Sequence, residues 1–90
     1  MPKYVIERDV PGAGTASPER LAYDAKESNT VLRDLGPDIQ WLESFVTDDR
    51  IYCVYIAESE DVIREHARCL DVPASRISAV RAINDPSKTA

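Results

Sequence analysis

Polar and apolar residues alternate from Lys3 to Asp9, with Tyr4, Ile6 and Arg8 on one side and Val5, Glu7 and Asp9 on the other. A period of two predicts a β-strand. Pro11-Gly12-Ala13-Gly14 ends it, since two glycines and a proline in four residues favour a loop. Ser17-Pro18-Glu19 then predicts a helix start, with a hydroxyl at the N-cap, proline in the first turn and an acid at the positive end of the dipole. Leu21, Ala25, Ser28, Leu32 and Leu35 recur at the spacing of one helical face, and Gly36-Pro37 stops the helix.

A strand over Ile39–Thr47, an Asp48-Asp49 turn and a strand over Arg50–Ala57 read as a hairpin. Ser59 is placed to cap a second helix, with Glu60 and Asp61 in its first turn. Its apolar stripe is Val62, Ile63, Ala67 and Leu70, and His66 falls within that stripe. Pro73 forbids continuation, and Ile77–Ile83 alternates as a last strand. Residues 1–83 are thus expected to form a single domain and residues 84–90 a polar tail. The order β-α-β-β-α-β is the split βαβ arrangement of ferredoxin-like folds, an α+β class with two helices on one face of a four-stranded antiparallel sheet.

A sheet covered on one face only should alternate cleanly between apolar and polar. This one does not. In the third strand Ile51, Cys53, Tyr55 and Ala57 oppose Tyr52, Val54 and Ile56. In the second, Ile39, Trp41 and Phe45 are expected to oppose Leu42 and Val46. Leaving either set in water would expose a larger patch than soluble monomers usually carry, so the free face is expected to meet a second copy across a two-fold axis.

Composition narrows the function. The 90 residues are 43% hydrophobic, enough for one core. Sixteen acids against eleven bases leave a formal net charge of −5, which argues against nucleic acid and lipid surfaces as partners. No leader segment or membrane span is read, and two cysteines are too few for a disulfide framework, so a cytoplasmic protein with reduced thiols is expected.

Tyr4-Val5-Ile6-Glu7-Arg8-Asp9, Pro11-Gly12-Ala13-Gly14, Ser17-Pro18-Glu19 and Leu35-Gly36-Pro37 occur in order. Trp41, Ser44 through Tyr55, Arg64-Glu65-His66-Ala67 and Val72-Pro73-Ala74 follow, before Ile77 and Val80. The series resembles a family of small bacterial proteins described as nickel-binding or nickel-responsive. The resemblance implies a ferredoxin-like fold pairing as a dimeric α/β barrel, nickel as the bound ion, and no established catalysis. One departure stands out. Asp71 occupies a neighbourhood where the family tends to carry glycine, and aspartate tolerates the left-handed conformation better than most residues.

His66 is the lone histidine, so a metal site needs carboxylate, thiolate or a second subunit beside it. Its stripe position directs it to the sheet, where Glu7 and Cys53, on neighbouring strands, are the candidate co-ligands. The alternative is a core histidine hydrogen-bonded to a carbonyl or a tyrosine. Trp41, Ser44, Tyr52 and Tyr55 on the hairpin, together with Arg8, could line a pocket for a small organic molecule. Glu7 and Arg8 sit on opposite faces of their strand, and one of them must face the helices or a dimer seam. No nucleophile constellation or phosphate loop is present. Three readings follow: a homodimeric nickel-binding protein, a small-molecule-binding protein or cofactor-free enzyme of the dimeric α/β barrel type, and a non-catalytic interaction module.

Overall fold

The computed structural model describes residues 1–89, in the order β1 (Lys3–Asp9), α1 (Pro18–Leu35), β2 (Ile39–Val46), β3 (Arg50–Ala57), α2 (Glu60–Leu70) and β4 (Arg76–Ala79). The strands form one antiparallel sheet in the order β2-β3-β1-β4. This is the ferredoxin-like α+β fold expected from the sequence. Both helices lie over the face that carries Ile6, Cys53, Tyr55 and Ala57, and the core forms there with Ile39 and Ile63. None of the described helices is long and apolar enough to cross a membrane.

Local chemistry sets the element ends. The Ser17 hydroxyl accepts from the Arg20 amide at 3.1 Å, as a capping serine should. Ser59 occupies the N-cap of α2, but its hydroxyl makes no cap hydrogen bond. Asp71 closes α2 in the left-handed conformation, at φ 54° and ψ 46°, the role glycine usually fills at a helix end.

Two expectations change. The last strand runs from Arg76 to Ala79 and does not reach Ile83. Ala79 pairs with Tyr4 and the Val80 amide reaches the Lys3 carbonyl, so the end of β1 leaves nothing further to pair with. The second change is in β2, where register shifts between Trp41 and Glu43. Leu42 is the extra residue of this bulge, and beyond it the facing reverses. Trp41, Ser44 and Val46 therefore share the helix-covered side, while Phe45 joins Tyr52 on the open side. Simple alternation had put Phe45 with Trp41.

The loop after β1 docks on the hairpin turn. The Gly12 amide donates to Asp49 Oδ1 at 3.0 Å, and the Gly14 amide donates to the Asp48 carbonyl at 3.0 Å. A Cβ on Gly14 would stand 2.9 Å from Asp48 Cα and 3.1 Å from the Thr47 carbonyl oxygen. Backbone atoms cannot swing aside. Gly14→Ala is expected to cost about 1–3 kcal/mol through overpacking, read as a lower urea midpoint. An unchanged midpoint would show that the turn yields freely.

Candidate functional site

A cleft of about 800 Å³ opens between the helices and the sheet. The bulge in β2 turns Trp41 and Ser44 into it, β1 supplies Arg8, β3 supplies Cys53 and Tyr55, α1 supplies Ser28 and α2 supplies His66. Its outer wall is mostly apolar, with Leu21, Val31, Val46 and Ile51. This explains why α1 is poorly buried. Leu32 and Leu35 pack against the core, but Leu21, on the same face, stands over the cleft and is 38% exposed.

The floor of the cleft is a chain of polar groups. Arg8 is 5% exposed and donates from Nη1 to the Pro73 carbonyl at 2.7 Å, and from Nη2 to the Tyr55 hydroxyl at 3.4 Å. Tyr55 Oη lies 3.5 Å from His66 Nδ1, and Ser28 Oγ lies 3.1 Å from His66 Nε2. The proton assignment follows from the guanidinium, which can only donate. Tyr55 accepts from Arg8 and turns its own proton to Nδ1, so Nε2 carries the hydrogen and donates to Ser28. The contacts at 3.4 and 3.5 Å are long for hydrogen bonds, so the floor is loosely tied.

Electrostatics keeps this floor uncharged apart from Arg8. His66 is 1% exposed, and burial, reinforced by the neighbouring guanidinium, lowers its pKa to about 4. Tyr55 is pushed up to about 12, first by burial and then by its closeness to Cys53, against the pull of Arg8. Beside them, Trp41 Nε1 donates to Ser44 Oγ at 2.9 Å, and Ser44 donates to Cys53 Sγ at 3.1 Å. That relay pins the bulge to β3.

Of the residues singled out from the sequence, Arg8, Trp41, Ser44, Cys53, Tyr55 and His66 meet in the cleft. Glu7 and Tyr52 do not. They pair with each other in the β1–β3 ladder on the opposite face, where Glu7 stands 3.8 Å from Arg76. His66 and Cys53 therefore do not converge with Glu7. Sequence reading missed Ser28 as a polar partner, although a signal was there: Ser28 interrupts the apolar stripe of α1 as His66 interrupts that of α2, and the two meet. The Pro73 carbonyl left no signal.

A profile of the family described as nickel responsive protein SCO4226-like matches residues 4–80. The chain belongs to that family. Among solved structures, that of SCO4226 from Streptomyces coelicolor A3(2) superimposes with a TM-score of 0.76 at 13% identity. The match covers 91% of this chain and 99% of that one. At this identity the likeness shows the shared fold. No curated protein matches the chain.

Family membership makes nickel the ion to test against the cleft, and the cleft does not fit it. Among the described residues no three His, Cys, Asp or Glu side chains are grouped to hold a metal ion. Both nitrogens of His66 are engaged, and the nearest full charge is the Arg8 guanidinium, which repels a dication.

Proposed function

We propose that this chain works as a homodimeric small-molecule-binding protein of the dimeric α/β barrel type, with the cleft between helices and sheet as its ligand site. The observation that carries this reading is the cleft itself. It is a space of about 800 Å³ whose apolar walls end on a floor of oriented polar groups. This is the usual make-up of a site for a small organic molecule. Ser28 and His66 do meet in it at 3.1 Å, but Nε2 donates to the hydroxyl while Nδ1 takes the Tyr55 proton, so the imidazole is not set as a base toward Ser28 and the reading is binding. Two free thiols, buried Cys53 and exposed Cys69, accord with a reducing compartment such as the cytoplasm.

Pairing is supported by the open face. Val5, Tyr52, Val54 and Ile56 project from the side of the sheet away from both helices, and Phe45 there is 55% exposed. A second copy laid on this face would bury the row, sheet against sheet. Residues 1–83 would then form the pairing domain, with 84–90 as a tail, of which Ala90 lies outside the described residues.

The neutral probe N-phenyl-1-naphthylamine tests the cleft. Saturable binding of one probe per chain is expected, quenching the lone Trp41 on the wall, with at least tenfold weaker binding in Ala25→Phe, which places a ring in the space. Unsaturable binding, or equal affinity in the variant, would remove the reading.

Family membership favours a second reading, a nickel-binding homodimer. Since one chain does not assemble His66, Glu7 and Cys53, ligands would have to come from both copies. Calorimetric titration of metal-free protein with nickel is the test. No heat of binding, or affinity unchanged by His66→Ala, would take His66 out of any such centre.

A further inference from the structure

Arg8 holds its charge at the floor of the cleft with no opposite charge against it. It belongs to none of the ion pairs formed among the described residues. Its hydrogen-bonded partners, the Pro73 carbonyl and the Tyr55 hydroxyl, are both neutral, and Cys53 also lies against it. Nε has no protein acceptor among the described residues, and no side-chain nitrogen or oxygen there is both sealed from solvent and unpartnered. Nε is therefore not sealed from solvent, and Arg8 lines the cleft. Burying a cation without a counter-charge is costly, and the cost is recovered when an anion arrives.

We propose that the cleft takes a small organic monoanion, a carboxylate on an apolar or aromatic body, with the carboxylate seated on Arg8. This inference rests on the reading of the cleft as a ligand site. The guanidinium fork matches a carboxylate edge to edge, and its remaining hydrogens supply the donors. Tyr55 commits its proton to His66, so specificity for charge lies with Arg8. Val31, Trp41, Val46 and Ile51 offer the body an apolar wall. The rim sets the number of charges. Asp24, Glu27 and Asp71 line the mouth, and although Asp24 is paired with Arg20 at 3.1 Å, the rim is net acidic. A second negative group at the outer end of the ligand meets repulsion, which favours monoacids over diacids and phosphate esters. The same guanidinium that draws a carboxylate repels a metal cation.

The experiment compares 4-phenylbutyrate with its neutral isostere 4-phenylbutyramide by calorimetry, with N-phenyl-1-naphthylamine as the uncharged reference. In the native protein the acid is expected to bind about 10- to 100-fold tighter than the amide, the worth of hydrogen bonds to a charged group. Arg8→Met should level acid and amide, and Arg8→Lys, which keeps the charge and loses the fork, should fall between. Equal affinity of acid and amide for the native protein, with the naphthylamine still bound, overturns the proposal and leaves the cleft reading standing. That comparison needs no variant, so it holds even if Arg8→Met fails to fold. Failure of the naphthylamine to bind takes down both.

Discussion

On the proposed pairing, Val54→Asp is expected to leave single chains of 10.0 kDa in place of the dimer. Val54 lies in the middle of the open face, opposite Val5 on β1 and Glu43 on β2. A two-fold axis brings each substituted residue into the seam twice, so two carboxylates lose their water and gain no partner. The pair should weaken by about 3–6 kcal/mol, a dissociation constant raised more than a hundredfold. Sedimentation at micromolar concentration reads the mass directly, and far-ultraviolet dichroism confirms that the single chain stays folded, since Val54 contributes nothing to the helix-side core. A native protein already sedimenting at 10.0 kDa, or a variant still sedimenting at twice that mass, would refute the pairing.

The second large effect is on acid stability. His66 ionises near pH 6.5 when unfolded and near pH 4 in the folded chain. Between those values the unfolded chain binds a proton that the folded chain refuses, so stability falls as pH drops through this window. Above about pH 6.5 both states hold neutral imidazole and nothing is lost. At pH 4 and below the loss approaches about 3 kcal/mol, a large share of what a domain of this size has. Refusal of the proton traces first to burial and then to repulsion by Arg8 on β1, while the hydrogen bond to Ser28 on α1 pulls the other way. Urea denaturation at pH 7 and pH 4.5 should show a drop for the native protein that is about 2–3 kcal/mol smaller in His66→Asn, because carboxylate titration is common to both. Equal drops would mean that His66 charges in place.

The cleft and the family point to different chemistry, and Arg8 is where they diverge. Membership in a nickel-responsive family is shown by the match over residues 4–80. Among the described residues of one chain, the positive charge of Arg8 and the dispersal of Glu7 to the other face leave no donor set for a dication. Response to nickel would then require groups brought together by pairing, whereas an organic acid needs only the chain as it stands. Titration of nickel and of phenylbutyrate into the same preparation separates the two.

The elements themselves were legible along the chain because their signals are local. Ser17-Pro18 capping, the left-handed tolerance of Asp71 and the period-two run of β1 each depend on residues a few positions apart, and each stands where the pattern placed it. The order of elements then restricted the topology to one common arrangement. His66 as a residue turned toward the sheet was likewise readable, from its place in an apolar stripe. What failed locally failed where the partner strand decides. The bulge between Trp41 and Glu43 reversed the facing of Phe45 and Val46, because register is a property of two strands and one added residue exchanges the faces. The end of β4 was set by where β1 begins. Sequence alone determined which side chains could carry chemistry: a single histidine, a mid-strand arginine, a tyrosine-rich hairpin. Only the tertiary structure decided that Arg8, Tyr55, His66 and Ser28 form one hydrogen-bonded floor while Glu7 faces away, since convergence from four elements depends on packing distances that no spacing along the chain encodes.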